Sequence, residues 1–453
     1  MVHTNPINPL HTRPNLDNRC TKSLVMNQVD INNDNLNPLD TIKVARDMWL
    51  AATTKSDLDK VERLYRQALT SKELTDEDSN DEPSRKKRKS HIKLSRENYR
   101  QASEKLALLL CQSGRCKKAK KPLSMLGFKC RLAERVLNYP NPQDNDMIQT
   151  IKNDTISSTP CRIIDGFLSD IELERLRSVF SSPSANYWTI HNYRVEPPSP
   201  YFSYVIPLAE MRNNGGPANK FGFIRTLIEK ILSCPMLVEK FAELPDAQFV
   251  EMWSHNRPHA SGHQMHFDSD DEGRGGVKNP IISTILYITA CEQVKNDVDD
   301  CTSYTGGPSL VTNQKLESGS LATRGWLAYP KPKRLVAFDG RYLHGVVPGK
   351  GVSTKNSRRV TLMFAFWKDL KVRRGIGPGS ARPFPIKKND NTIPEWASKL
   401  TDQINEIEMK QTANETYKET CPIELDTIYE ELNGKPWKTS IEMPSYDEVF
   451  QGF

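Results

Sequence analysis

The chain has 453 residues, 37% of them hydrophobic and 26% charged, enough for one large catalytic domain, a smaller partner and polar flanks. Nowhere does an apolar run reach the length of a bilayer span, and MVHTNPINPLHTRPNLDN lacks the basic-then-apolar layout of a secretory signal. The net charge of +7 is modest, and nine cysteines without CxxC spacing read as reduced thiols, which points to the nucleus or cytoplasm and excludes a disulfide scaffold.

Residues 1–39, rich in Asn, Asp and Pro, are expected to be disordered. From residue 40 to 140 the pattern is helical. Ala45, Met48, Trp49 and Ala52 recur at helical spacing, followed by Val61, Leu64, Tyr65, Ala68 and Leu69. A charged linker at 71–92 follows, in which acidic residues from Asp76 to Glu82 precede the basic run Arg85–Lys89. That run reads as an import signal or phosphate-binding patch, or as a plain solvated linker. Leu106, Ala107 and Leu110, a turn at Gly114, then Ala119, Leu123 and Leu126 make a second helical pair. The two pairs loosely resemble tetratricopeptide repeats, with a helical extension packed on the catalytic domain as the alternative.

A polar connector precedes the strand Cys161–Asp165. Ser169 and Glu172 then form a capping box at the start of a helix, with Leu168 and Leu173 as its apolar staple. Beyond Ala185 strands are expected at 186–190, 247–254, 281–289, 308–313, 326–329, 334–339 and 359–367, with a helix over 221–232. Many short strands with turn signals predict an α+β sandwich or open barrel carrying external helices. Residues 371–453 read as a polar C-terminal extension.

The chemistry is concentrated in Gly262-His-Gln-Met-His266-Phe-Asp268. Residues two apart on a strand share a face, so His266 and Asp268 can reach one ion together. His344, in FDGRYLHGVVPG at the end of an apolar strand, supplies the third ligand of a two-His-one-carboxylate face. The next strand opens with Arg359 and Thr361 on one face, while Val360, Leu362, Phe364 and Phe366 lie on the other. A guanidinium fork with a hydroxyl nearby suits a carboxylate at the bottom of a pocket. Arg358 falls on the opposite face, and Lys355 is more distant. His255, His259 and His263 are spaced by four, but Pro258 and Gly262 argue against a helical metal face and leave them as residues near the pocket. His255 ends the strand before the HxD loop, where enzymes of similar layout place a group that touches cosubstrate; plain loop packing is the alternative. Trp253, Trp326 and Trp367 are expected in the core or the pocket wall, with Trp253 nearest the substrate path.

The order HxD, Gly306-Gly307-Pro308, the His of FDGRYLHGVVPG, then RVT and an aromatic strand resembles the prolyl 4-hydroxylase-type Fe(II)/2-oxoglutarate dioxygenase domain over about 161–370. The resemblance implies a double-stranded β-helix (jelly-roll) core and iron held by His266, Asp268 and His344. It also implies 2-oxoglutarate held through its tail by Arg359, and ascorbate as reductant. The implied reaction is hydroxylation of a protein or peptide side chain, with succinate and carbon dioxide released. Collagen-type prolyl hydroxylases share the layout but carry Lys in place of Arg359 and are secretory, so their substrate does not carry over. A nucleic-acid oxygenase, suggested by Arg85–Lys89 and a pI near 8.8, and a non-catalytic repeat scaffold are the alternatives.

Overall fold

The computed structural model describes residues 37–70, 98–110, 115, 118–119, 121–122, 130–140, 159–181, 186–195, 201–212, 221–270, 277–289, 306–315, 320–352, 358–373, 380–385, 393–402, 417–431 and 449–450. The basic run Arg85–Lys89, the turn at Gly114, Leu123, Leu126, Lys355 and residues 1–36 lie outside them. Everything below belongs to one unit, Pro38–Phe453.

Sixteen strands are found among the described residues: β1 (Cys130–Leu132), β2 (Cys161–Asp165), β3 (Tyr204–Pro207), β4 (Phe249–Pro258), β5 (His263–His266), β6 (Ile282–Tyr287), β7 (Ser309–Lys315), β8 (Gly325–Ala328), β9 (Leu335–Asp339), β10 (Tyr342–Val346), β11 (Arg358–Trp367), β12 (Arg382–Pro383), β13 (Lys418–Thr420), β14 (Ile423–Leu425), β15 (Tyr429–Glu431) and β16 (Val449–Phe450). They form an eight-stranded sheet in the order β12-β3-β4-β11-β6-β9-β2-β13, a five-stranded sheet β14-β8-β7-β10-β5, and a small sheet β15-β1-β16. From β4 to β11 the chain visits the large and small sheets in the sequence large, small, large, small, small, large, small, large.

Period-two side-chain alternation sorts the residues into layers. On β6, Ile285 and Tyr287 join Trp253, Val311, Trp326, Val336, Phe338 and Met363 in one buried cluster, drawn from both sheets. Ile282 and Leu286 join a second cluster on the other face of the large sheet, which the helices Asp170–Phe180 and Gly222–Leu232 cover. The second helix presents Phe223, Ile224, Leu227, Ile228 and Ile231, all buried, an i, i+1, i+4, i+5, i+8 stripe. Each such residue fully removed from water contributes about 1.5–3 kcal/mol. A third cluster joins Met265, Leu310, Leu327 and Leu343 of the small sheet to Ala45, Trp49, Val61 and Tyr65 of the helices Pro38–Leu50 and Lys55–Thr70, and to Leu106 and Leu110. The N-terminal helices thus share a core with the strands.

The capping box forms as expected: Glu172 N–H donates to Ser169 Oγ at 3.1 Å, and Ser169 N–H donates to the Glu172 carboxylate at 2.7 Å. Two expectations fail. Residues 186–190 are not a strand; Tyr187–Ile190 is a helical turn. Tyr187 packs edge-on against Phe180 at 4.7 Å and Trp396 at 4.9 Å, so aromatic packing overrides the strand preference of Tyr-Trp-Thr-Ile. His344 is not at the end of the preceding strand β9; it lies inside a strand of its own, β10. Residues beyond 370 are also less peripheral than their polarity suggests, because β13 pairs with β2 and β14 with β8, extending both sheets.

A partly buried charge cluster ties these additions to the core. Asp165 accepts from Arg334 at 2.5 and 2.9 Å, from Lys331 at 2.9 Å and from Thr420 Oγ1 at 3.1 Å. Burial alone would raise its carboxyl, but the Arg334 and Lys331 cations hold it at about 2, below its ordinary 3.8. A depressed carboxyl stabilises the fold above its unfolded pKa, and that contribution is lost as pH falls through the folded value. Asp165→Asn is therefore expected to lower unfolding stability at pH 6–7. Wild type and variant should converge between about pH 4 and 2, as read by urea titrations across that range.

Candidate metal centre

β5 and β10 are antiparallel neighbours, and their register sets His266 directly opposite His344. The two imidazole centroids are 4.3 Å apart. Asp268 follows two residues beyond the end of β5 and is fixed from outside the strand. Asn279 Nδ2 donates to its backbone carbonyl at 2.6 Å, and Ser283 Oγ on β6 donates to its Oδ2, also at 2.6 Å. Asp268 Oδ1 lies 3.6 Å from His266 Nε2, and Oδ2 lies 3.6 Å from His344 Nε2. One donor atom from each of the three falls within 4.8 Å of the others.

Both rings are oriented by the main chain. His266 Nδ1 lies 2.8 Å from the Gln264 carbonyl, and His344 Nδ1 lies 3.0 Å from the Tyr342 carbonyl. A carbonyl can only accept, so each Nδ1 carries a proton and Nε2 is the atom left on each ring for a metal. Burial pushes the His344 imidazole down to about 4, so it is neutral at physiological pH. Burial would raise the Asp268 carboxyl, but the imidazoles of His344 and His266 and the Ser283 hydroxyl hold it far below the usual carboxylate range. Burial would lower the His266 imidazole, but the Asp268 carboxylate beside it holds it above its ordinary value, so a metal would displace a proton there. Two imidazoles and one carboxylate on one side of a point suit a divalent transition metal with open positions opposite. The side chains of His344 and Asp268 are 6% and 11% exposed and that of His266 36%, so His266 marks the open side.

The same cavity contains Arg359 and Thr361 of β11, His255 of β4 and Tyr287 of β6, together with His266 and His344. Thr361 stands between His255 and Tyr287 in the sheet. Arg359 is 3% exposed and donates from Nη1 to the Gly307 carbonyl at 3.3 Å. Among the described residues no carboxylate pairs with it, and burial pulls its pKa down to about 10. The Gly-Gly-Pro segment makes room for it. Gly306 has φ +83°, and a Cβ there would lie 3.1 Å from Arg359 Cδ; a Cβ on Gly307 would overlap the Val347 carbonyl at 1.9 Å. A buried guanidinium facing a cavity without an anion fits a carboxylate-bearing cosubstrate.

His255 lines the cavity with its Nδ1 buried and without a hydrogen-bond partner among the described residues, and burial keeps the ring neutral. His263 sits edge-on to His255 at 4.8 Å and stacks on His266 at 4.6 Å. His259 is scaffolding: its Nδ1 accepts from Gly306 N–H at 3.0 Å and its Nε2 donates to the Lys350 carbonyl at 2.9 Å. Arg358 is exposed and bound to Asn256, away from the cavity. Sequence reasoning missed Ser283, which holds Asp268, and Tyr287, whose hydroxyl is 2.8 Å from Ser309 Oγ beside Arg359. Alternation along Ile282–Tyr287, with Ser283, Ile285 and Tyr287 on one face, was the available signal.

No protein-family model matches the chain, and no curated protein matches it. Solved structures similar to it include a 2OG-Fe(II) oxygenase-family oxidoreductase from Burkholderia pseudomallei (10% identity, 51% of this chain and 91% of that one, TM-score 0.25). Another is SnoK, a non-heme α-ketoglutarate-dependent carbocyclase from nogalamycin biosynthesis (10%, 50% and 87%, TM-score 0.29). A third is HygX from Streptomyces hygroscopicus with nickel, 2-oxoglutarate and hygromycin B bound (12%, 51% and 96%, TM-score 0.25). At these TM-scores the likeness carries no weight by itself, and the functional reading rests on the site.

Proposed function

We propose that the chain is an Fe(II)- and 2-oxoglutarate-dependent oxygenase of prolyl 4-hydroxylase type, built on a double-stranded β-helix, and that it hydroxylates a protein side chain. One observation carries the reading: His266 and His344 of the three-residue cluster line the same cavity as Arg359, which has no carboxylate partner among the described residues. The alternation of the chain between two sheets from β4 to β11 supports the β-helix. The protein side chain as substrate rests on the sequence resemblance.

In this reading His266, Asp268 and His344 hold the iron through Nε2, a carboxylate oxygen and Nε2. Bound there with 2-oxoglutarate and O2, iron supplies oxidative decarboxylation coupled to C–H hydroxylation. The protein's part is positional. Ser283 fixes the ligand carboxylate, and the Gln264 and Tyr342 carbonyls hold both imidazoles in the ligating tautomer. Arg359 anchors the distal carboxylate of 2-oxoglutarate, with Thr361 and Tyr287 supplying hydroxyls on the same wall. Trp253, Ile285, Val311 and Met363 keep that wall apolar, which strengthens the Arg359 ion pair and limits water.

The test is succinate release in air from protein supplied with Fe(II) and 2-oxoglutarate. Slow release without a substrate, abolished by chelation, is expected. Folded, iron-loaded protein that forms no succinate with any peptide, nucleic acid or small molecule tried would contradict the proposal.

A further inference from the structure

Alternation along β4 puts Glu251, Trp253, His255 and Arg257 on one face. Trp253 and His255 line the cavity described above, while Glu251 plays no part in holding metal or cosubstrate. Its position follows from register. Glu251 pairs with Ala365 on β11, and Ala365 pairs with Ser283 on β6, so the three stand in one row. Ser283 is the residue whose hydroxyl holds Asp268. With strands about 4.8 Å apart, Glu251 lies about 10 Å from Ser283, across only the methyl group of Ala365. Arg359 is on the same face of β11 as Ala365 but six residues away, about 20 Å along the strand. Glu251 and Arg359 therefore mark opposite ends of one face, and Asp268 is tethered to the row at the Glu251 end.

The surroundings of Glu251 are unusual for a buried acid. It is 6% exposed, and its carboxylate accepts from Ser203 Oγ and, at 3.4 Å, from the Tyr201 hydroxyl. No cation pairs with it among the described residues, and the charges acting on it include two more carboxylates, Asp268 and Asp270. An acid so placed is costly to ionise unless a positive charge is brought to it. Two aromatic rings stand by. Tyr201 is 51% exposed, and its ring meets Trp253 edge-on at 6.4 Å. Tyr201 reaches Glu251 through its hydroxyl, and Trp253 stands two residues along the same face of β4. An acid with aromatic rings beside it is a combination that binds ammonium and guanidinium groups.

We infer that Glu251, Tyr201 and Trp253 form a substrate subsite for a cationic group, ammonium or guanidinium, lying on the side of the metal away from Arg359. The inference rests on the oxygenase reading and adds the chemical class of the substrate: it carries a fixed positive charge within side-chain reach of the carbon attacked. Lysine and arginine side chains of a protein have this chemistry, as do free alkyl-guanidines.

The test uses the full chain with Fe(II) and 2-oxoglutarate in the absence of oxygen. Peptides with a central lysine or arginine are titrated against counterparts with norleucine or citrulline, and butylguanidine against butylurea, with binding followed by calorimetry. At least one cationic probe is expected to bind about tenfold tighter than its neutral counterpart, the scale of one charge-assisted contact. Glu251→Gln should erase that preference while keeping the affinity for the neutral probe, which shows the variant is folded. Preference confined to peptides assigns a protein residue, and preference confined to butylguanidine assigns a small molecule. No preference in the wild-type protein, no binding of either set, or a preference that survives Glu251→Gln would overturn the inference. The visible band of the iron–2-oxoglutarate chelate, recorded on the same samples, separates failure of the subsite from failure of the oxygenase reading.

Discussion

Replacing His344 with Ala is expected to weaken Fe(II) binding by at least about 100-fold and to abolish iron-dependent succinate release. The magnitude follows from a comparison. Losing a group that merely orients a metal ligand costs about 10–100-fold in affinity, and His344 is itself a ligand. Ser283→Ala supplies the contrast: it removes the 2.6 Å hydrogen bond to Asp268 Oδ2 but leaves all three donors, so about a tenfold loss is expected. Equilibrium dialysis of Fe(II) under anaerobic conditions reads both. Equal, small effects of the two substitutions would mean that the cluster is a hydrogen-bonded polar core and not a metal site. His344 is buried within β10, so its replacement removes one donor and leaves a cavity beside Asp268.

Arg359→Met is expected to have two effects of opposite sign. The guanidinium is buried, with no anion among the described residues, so in the free protein it is a charge held out of water without compensation. An apolar chain of similar length removes that cost. Replacing buried charge with well-packed apolar groups stabilises by about 1–4 kcal/mol in other proteins, and a rise in melting temperature without cosubstrate is expected here. Meanwhile the affinity for 2-oxoglutarate should fall about 100-fold, the loss of one to two charge-assisted hydrogen bonds. Thermal melts with and without 2-oxoglutarate, in the presence of Fe(II), test both at once. The wild-type protein should be stabilised by the ligand, and the variant should start higher and gain little. A variant that melts lower and still responds fully to 2-oxoglutarate would make Arg359 a structural residue.

The sequence was most informative where side-chain period and chemistry coincide. On β11, Val360, Leu362, Phe364 and Phe366 face the helices while Arg359, Thr361 and Met363 face the cavity, and a period of two suffices to read that. The capping box at Ser169 was legible for a similar reason, since its partners are three residues apart. What failed depended on contacts between distant segments. Tyr187–Ile190 has the composition of a strand and becomes a helical turn because Phe180 and Trp396 pack around it, and Trp396 lies over 200 residues away. Composition puts His344 at the end of the preceding strand because β9 and β10 are separated by two residues, too few to mark a strand boundary. Ser283, Tyr287 and Glu251 are polar residues in apolar strands, and their meaning comes only from register. Ser283 matters because it faces Asp268, and Glu251 because Ala365 links it to Ser283.

In the proposed enzyme one cavity holds iron and 2-oxoglutarate together. Anaerobic titration of the full chain with Fe(II) and then 2-oxoglutarate, watching for the weak visible charge-transfer absorption of the chelate, tests it most directly. A saturable band is expected, absent in His344→Ala and requiring far more 2-oxoglutarate in Arg359→Met. A folded protein that binds Fe(II) without developing the band at any 2-oxoglutarate concentration would contradict it.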